Sequence, residues 1–464
     1  VKEDRGVMLF CRGWGWRVDG VAVSALLLVC FLLFGVGLAG AVGVSPVVRV
    51  SRCAGPNAEV EQAVDGRFVY EVWIGCGHRI GFARSGNGGR TFGASMPVLG
   101  TGLSGSSVWD PALAVAPDGT VYVSYMIRST VATSGGGSVG EMTPAVAVSV
   151  DHGRSFARVS KLPVPMPTVQ TGNWGDRDFI AVGPDGSVYV TWDYGPRADQ
   201  VKFICAQVGS CVFAAGDFNA VIQRSSDGGR TWSMPATISP GFPLGGVWAA
   251  PIVAEANGTL DVLYNQHPTD PTTFALSSGG EYFTRSTDGG TTWTTPVAVD
   301  PHAGTTSLQE WWIDVSLAVD PEGTLYAAWD TQHDGRDTAW LAWSSNGGQT
   351  WSAPLRVNSH RSKNFPNLGL PANLVEVTAA GRRNVYVAWQ TSVLRKGYAT
   401  YLRRLAVGKG WTGRAERISR AYSSWAFWPG DTFGLSARNG TAIVSWGSGS
   451  EIHATRATLP AHHQ

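Results

Sequence analysis

Apolar and polar residues alternate in short runs along most of the chain, and the runs come in pairs. One pair has its apolar positions at Phe218, Ala220 and Ile222, then at Met234, Ala236 and Ile238. A period of two marks half-buried β-strands. Between these runs lies Ser225-Ser226-Asp227-Gly228-Gly229-Arg230-Thr231-Trp232. Ser286-Thr287-Asp288-Gly289-Gly290-Thr291-Thr292-Trp293 nearly repeats it, and Ser344 to Trp351 follows with Asn346 in place of Asp. Looser copies lie upstream, centred on Asn87 and Asp151. The shared pattern is S-x-[DN]-x-G-x-[TS]-[WF]. Its Asp or Asn accepts backbone N–H groups just after it and fixes a tight turn. Its glycine supplies positive φ, its hydroxyls tie the two arms, and its final aromatic anchors the turn in the core. Each copy therefore reads as the turn of a β-hairpin.

A second unit precedes each copy. Asp110 to Tyr125 is the clearest: a strand, the turn Pro117-Asp118-Gly119, and a second strand ending in an aromatic. Asp178 to Trp192 and Asp314 to Trp329 repeat it, with weaker copies at Trp248–Tyr264, Asn373–Trp389 and Asp431–Trp446. Unit and hairpin together give four strands, repeated roughly every 60–75 residues, the signature of a ring of blades. The fold class is all-β: a β-propeller of four-stranded antiparallel blades. Seven blades are counted, with six as the alternative if the first or last unit is irregular. The sixth unit has Gly408-Lys409-Gly410-Trp411 where the others have the motif. The seventh lacks a fourth strand of its own. Ser45 to Val50, at the start of the domain, is expected to supply it and so close the ring.

The repeated motif resembles the Asp-box (BNR repeat) of bacterial and animal sialidases, the neuraminidase superfamily, and of several other propeller families. The resemblance covers most of the chain as fold and implies structural turns, with Asn87, Asp151, Asp227, Asp288 and Asn346 as their centres. Sialidases have six blades, so seven is a departure. The sialidase resemblance also implies three arginines, the first in an Arg-Ile-Pro motif, and a Tyr nucleophile paired with a Glu. Here Arg79-Ile80 is followed by Gly81, and Tyr70-Glu71 and Tyr422 match by residue type alone. Exo-sialidase activity is therefore not expected.

Composition narrows the class. Among 464 residues, 59 Gly and 20 Trp suit many tight turns with large aromatic anchors. A formal net charge of +1 gives no sign of a nucleic-acid partner. Lys2, Arg5, Arg12 and Arg17 precede an apolar run from Val21 to Leu38, then Ala39-Gly40-Ala41. Residues 1–41 read as a cleaved signal peptide or, alternatively, an uncleaved membrane anchor. Residues 45–460 form the propeller domain, secreted or held at the cell surface, as a monomer. Of six cysteines, four follow the leader: Cys53, Cys76, Cys205 and Cys211. Local pairing, Cys53–Cys76 and Cys205–Cys211, is expected of an exported chain.

The topology sorts the loops. The turns between strands 1 and 2 share one face with the motif turns. The loops between strands 2 and 3 share the other with the blade-to-blade connections. The long 2–3 loops are Tyr194–Asp217, which holds Cys205 and Cys211, Asn265–Glu281, and the Gly/Ser-rich Met126–Met142, expected to be mobile. On that loop face the first strands crowd the axis, and their first residues are Trp109-Asp110, Trp174 to Asp178 with Asp176 and Arg177 between, Trp248, Trp312 to Asp314, and Trp428 to Asp431. Trp109, Trp174, Trp248, Trp312 and Trp428 would stack on sugar rings. Asp110, Asp176, Asp178, Asp314 and Asp431 would bond hydroxyls, and a pair among Asp110, Asp176 and Asp314 would serve acid–base hydrolysis. Arg177 would clamp an anionic group. No organic cofactor is called for; a Ca²⁺ ion on Asp110, Asp176, Asp314 and Asp431 would also fit.

Two functions follow. One is recognition, with or without hydrolysis, of an extracellular carbohydrate. The other is a non-catalytic propeller binding a cell-surface protein. A glycan site requires the carboxylates to face an open pocket lined by tryptophans, whereas a scaffold buries them in backbone hydrogen bonds.

Overall fold

The computed structural model describes residues 43–100, 107–133, 136–166, 171–207, 210–239, 246–248, 250–267, 280–300, 315–333, 336–358, 362–363, 374–393, 397–419, 430 and 432–459. The leader, including the apolar run, lies outside them. Contacts separate Val1–Ala41 from Val42–Gln464. The second unit is a seven-bladed β-propeller. Blade 1 shows the plan, with strands Ala58–Asp65, Phe68–Gly75, Arg79–Ser85 and Met96–Pro97 paired in that order from the axis outwards. The first strands of blades 2 to 7 are Ser107–Val115, Trp174–Val182, Gly246–Trp248 with Ile252–Ala254, Val315–Val319, Val375–Ala379 and Gly434–Arg438. Each touches the first strand of the next blade, and the last touches the first.

The core lies between blades rather than within one. Side chains from facing sheets form separate clusters at the seams of blades 1 and 2, 2 and 3, 3 and 4, 4 and 5, and 5 and 6. The aromatic near the end of each second strand anchors them: Trp73, Tyr125, Trp192, Tyr264, Trp329, Trp389 and Trp446 are all buried. Each such residue contributes a large apolar area to a close-packed seam.

The five motif turns share one hydrogen-bond pattern. In blade 3 the Ser225 hydroxyl donates to Asp227 Oδ1 (2.8 Å), which also accepts the Arg230 and Thr231 N–H groups (3.0 and 2.9 Å). Thr231 donates its hydroxyl to Asp227 Oδ2 (2.6 Å), and Gly229 donates its N–H to Ser225 Oγ (2.8 Å). Where Asn replaces Asp, the last side-chain bond reverses. Asn87 Nδ2 donates to Thr91 (2.8 Å) and Asn346 Nδ2 to Thr350 (2.9 Å). The second glycine is required for room as well as for φ. A Cβ on Gly348 would lie 1.9 Å from Phe283 Cε1 in the preceding blade. Blade 6 has no such turn. There Lys409 N–H bonds Ala406 O (2.9 Å), and Trp411 keeps the anchoring role under the Arg403 guanidinium at 4.2 Å.

Closure is as expected. Val48–Arg49 and Gly43–Val44 pair antiparallel with Glu451–Thr458, the third strand of blade 7. Arg49 also pairs with Glu451 at 2.9 Å. A disulfide joins Cys53 to Cys76 with Cα atoms 5.1 Å apart. Between them and the seam sits buried Asn57, whose Oδ1 accepts from Trp73 Nε1 (2.8 Å) and Cys76 N–H (3.2 Å). Its amide donates to Ser450 O (2.8 Å).

Two 2–3 loops carry more structure than their sequence suggests. Met126–Met142 is mostly strand: Val121–Ala132 and Ser138–Ser149 stay paired from Val121↔Ser149 to Ala132↔Ser138. Its β-branched Thr130, Val131 and Val139 continue the ladder, so the Gly/Ser stretch only turns it. The insertion in blade 3 is a two-stranded ribbon, Val201–Gln207 with Ser210–Gly216, in which Cys205 stands opposite Cys211. The side chains of that pair lie outside the described residues.

The turn geometry sets an acid response. The Thr231 hydroxyl and backbone bonds hold Asp227 well below the usual carboxylate range, and those from Thr292 hold Asp288 at about 2. These lowered values stabilise the fold above about pH 4, and the contribution fades as pH falls towards 2. Asp227→Ala is expected to lower Tm by a few degrees at pH 7. Asp227→Asn should cost little and should remove that turn's share of the acid sensitivity. Thermal melts at pH 3 and 7 check both.

Candidate functional site

The seven first strands enclose an axial cavity of about 520 Å³. Its polar wall is made by Glu61, Asp110, Arg177, Asp178, Glu376 and Ser316. Towards the loop face three successive blades depart from regular strand. The register slips between Ala58 and Val60, between Trp109 and Ala112, and between Asp176 and Phe179. At each slip a non-glycine residue is left-handed: Glu59 at φ 52°, Asp110 at 45° and Arg177 at 43°. Blade 4 breaks its first strand at the same level, between Gly246–Trp248 and Ile252–Ala254. Left-handed residues that are not glycine cost of order 1–3 kcal/mol each and gather where geometry serves a site.

The bulges are linked across blades. Asp110 Oδ2 accepts the Arg177 N–H at 3.0 Å, and Asp176 Oδ1 accepts the Trp109 indole N–H at 2.7 Å. Asp110 is thus a cap on the neighbouring blade while lining the cavity. Asp178 is different. It is 4% exposed, and neither carboxyl oxygen meets a donor in hydrogen-bond geometry. Burial pushes it well above the usual range, with the nearby Ser124 hydroxyl opposing and Asp176 reinforcing the shift. Glu376 accepts the Ser316 hydroxyl at 2.7 Å, and Ser316 Oγ accepts the Val377 N–H at 3.1 Å.

The predicted tryptophans separate. Trp109 is half-buried beside Asp176. Trp174 and Trp248 are buried, edge to face at 5.9 Å, and both pack on Phe218 at 4.6 and 5.0 Å. Their faces belong to a small core beside Val201, where the blade 3 ribbon begins. Trp312, Asp314, Trp428 and Asp431 lie outside the described residues. Among the described residues no group of three or more His, Cys, Asp or Glu is placed to hold a metal ion. Tyr70 and Glu71 are neighbours on one strand and so point to opposite faces. Tyr70 joins the seam of blades 1 and 2, where burial pushes its hydroxyl up to about 12. Glu71 faces blade 7 instead. They form no nucleophile–base pair, and Tyr422 lies outside the described residues.

Sequence reasoning passed over Glu61, Glu376 and the Gln62–Glu71 pair. A signal was present. In Leu374-Val375-Glu376-Val377 a single charge interrupts an apolar inner strand. A second signal lies just after the second-strand anchors. Asp193, Asn265, Asp330 and Gln390 follow them in blades 3 to 6 and are all buried, whereas Ile74, Met126 and Gly447 follow them in blades 1, 2 and 7. At this one position the described second strands are polar in blades 3 to 6 and apolar or glycine in blades 1, 2 and 7.

The fold and its repeated turns define a sialidase-like β-propeller built from BNR repeats. The chain belongs to the family of BNR repeat-like domains, which matches residues 80–368. Among solved structures it resembles an ulvan lyase of polysaccharide lyase family 25, with bound -[GlcA(1-4)Rha3S]- (TM-score 0.57, 12% identity, 88% of this chain and 95% of that one). A protein of unknown function from Dyadobacter fermentans aligns at TM-score 0.49 and 15% identity over 90% of this chain and all of that one. The NanB sialidase of Streptococcus pneumoniae aligns at TM-score 0.48 and 11% identity over 79% and 70%. At such identities the likeness is one of fold. No curated protein matches the chain.

The wall also sets an alkaline response. Glu71 is fully buried between blades 1 and 7, accepting Gln62 Nε2 at 2.6 Å, while Ser436 donates to Gln62 Oε1. Burial raises Glu71 from 4.5 to about 8, against hydrogen bonds from Ser445 and Gln62. A raised carboxyl adds stability that is complete below the unfolded pKa and is lost as pH rises through 8. Glu71→Gln is therefore expected to stabilise the protein by about 1–3 kcal/mol at pH 8 and to change little at pH 4. Urea titrations at the two pH values measure the difference.

Proposed function

We propose that this propeller binds an extracellular carbohydrate at the loop-face mouth of its axial cavity. The observation that carries the reading is the set of three successive left-handed bulges at Glu59, Asp110 and Arg177, beside a cavity of about 520 Å³. That volume suits a ligand of a few rings. Carboxylates and one guanidinium on the wall match an array of hydroxyls, and Trp109 offers a half-buried ring at the rim. The ulvan lyase that shares this fold over most of the chain holds a saccharide, which supports the choice of ligand class. Hydrolysis would need two carboxyl groups of opposite protonation. Asp178, kept neutral by burial, and Asp110, which shares the cavity wall, are the pair to test. Export is part of the proposal, supported by the Cys53–Cys76 disulfide and the leader-like residues 1–41.

A second reading is a non-catalytic propeller that binds a protein. Two observations favour it: Asp110 caps a backbone N–H, and Trp174 and Trp248 are committed to a core.

Binding and turnover on a mixed glycan panel, with Asp110→Asn beside the wild type, separate the two. Asparagine keeps an acceptor for the Arg177 N–H and removes the charge, so Tm should hold. Carbohydrate binding is expected, weakened by about tenfold or more in the variant. A panel on which nothing binds moves the protein-partner reading ahead.

A further inference from the structure

A formal net charge of +1 conceals an uneven turn face. The strand 1–2 turns and the motif turns lie together at the end of the propeller opposite the bulges. In blade 1 the Gly88 N–H bonds Arg67 O (2.8 Å), and in blade 6 the Val407 N–H bonds Arg383 O (2.9 Å). On this face the turns of blades 6, 7 and 1 carry Arg382, Arg383, Lys409, Arg438, Arg67 and Arg90, against the single carboxylate of Asp65. The turns of blades 4 and 5 carry Glu255, Asp288, Asp320 and Glu322 and no Lys or Arg. Arg382 pairs with Glu322 where the two sectors meet. Arg67, Arg90, Arg383 and Lys409 are exposed, and among the described residues no carboxylate pairs with them. Two further observations mark the same sector. Arg456, near the end of the third strand of blade 7, reaches the motif turn of blade 1: its Cγ and Cδ lie 3.8 Å from a Cβ built on Gly89. Burial and then the neighbouring Arg90 draw its guanidinium below the usual value, so like charges are held together across the seam. The chain also enters the propeller here. Gly43 pairs with Thr458, whose hydroxyl lies 3.0 Å from that of Thr441, next to the Arg438-Asn439-Gly440 turn. The residues before Gly43, with the apolar run Val21–Leu38, are therefore joined to the molecule in its basic sector.

We infer that the basic sector of blades 6, 7 and 1 docks on an anionic phospholipid surface, tilting the propeller onto its blade 7 side and leaving the loop face turned outwards. The inference goes beyond the carbohydrate reading and does not depend on it. Each Lys or Arg close to an anionic bilayer adds an attraction that decays within a Debye length. Several cations on one sector therefore act together, while the acidic turns of blades 4 and 5 are pushed off the surface. Cations spread over three blades suit a fluid layer of phosphates, which rearranges to meet them, better than one shaped anionic ligand. The place where the chain enters agrees with this choice, since the apolar run before Gly43 is tethered to the same sector.

The test is sedimentation of the full chain with vesicles of phosphatidylcholine, alone or mixed with phosphatidylglycerol, at low and high salt. Hydrogen exchange is then measured on the bound protein. Phosphatidylglycerol is expected to tighten binding by at least about tenfold at low salt, and high salt should remove the gain. Arg90→Gln combined with Lys409→Gln should cut that gain several-fold. Arg154→Gln combined with Arg230→Gln, at the position of Arg90 in the motif turns of blades 2 and 3, should change it less than about twofold. Tm is recorded for both to confirm folding. Amide exchange should slow in the turns at Arg67, Lys409 and Arg438, and stay unchanged in the motif turn at Asp288 and in the blade 2 hairpin at Ser138. No gain from phosphatidylglycerol, an equal loss in the two double variants, or protection at Asp288 or Ser138 instead of Arg438 each overturns the inference. Binding to soluble polyphosphate as tight as to the vesicles also overturns it, and makes the sector a site for a free polyanion. The carbohydrate reading stands or falls separately, on the glycan panel.

Discussion

A ring of sheets stays a ring only while its two ends hold. Each blade buries its faces against its neighbours and against nothing else, so a gap anywhere exposes two apolar faces and an unpaired strand edge. In this chain the gap would open between blades 7 and 1. Three kinds of bond cross or flank it: the ladder of Val48–Arg49 on Glu451–Thr458, the Asn57 amide on Ser450 O, and the packing of Phe433, Trp446 and Ile452 with Val50, Val60 and Trp73. The Cys53–Cys76 disulfide ties the segment leading out of the closing strand to blade 1 itself. The seam also contains Gln62, which belongs to the cavity wall and to the Glu71 network at once. Closure and the shape of the central cavity are therefore held by the same residues.

Much of the fold was legible because its determinants are local. The glycines, the Asp or Asn and the hydroxyls that make a motif turn all lie within eight residues, and the buried anchors Trp192 and Trp329 each end the second strand of a repeated strand–turn–strand unit. The closing strand was readable because Val47, Val48 and Val50 look like any other fourth strand. The site was less legible, since it depends on register between chains of residues far apart. Trp174 and Trp248 were singled out for their position, yet whether an indole faces an opening or Phe218 is decided by a neighbouring blade. Glu61 and Glu376 lie inside the first strands, and their local sequence does not mark them as lining the cavity.

The ring is not uniform. Around the rim, blades 3 to 6 bury Asp193, Asn265, Asp330 and Gln390 where the other blades put Ile74, Met126 and Gly447. Burying polar groups is costly unless they serve structure or ligand. Bulges mark blades 1 to 3, and buried polar side chains mark blades 3 to 6. Blade 3 carries both, together with Asp178 and the inserted ribbon, so it is the blade on which the asymmetry of the molecule converges.

The motif turns have a consequence for how such a chain comes to exist. Each one holds its central side chain with bonds from its own eight residues, and it works with either an acid or an amide there, because the partner hydroxyl simply changes from donor to acceptor. A segment that brings its own folding instructions can be copied in tandem without a matching change elsewhere. Copies can then drift, and one can lose the motif, as blade 6 has, provided the aromatic anchor remains. The turn face thus acts as the inherited ledger of duplication, leaving the opposite face open to change blade by blade.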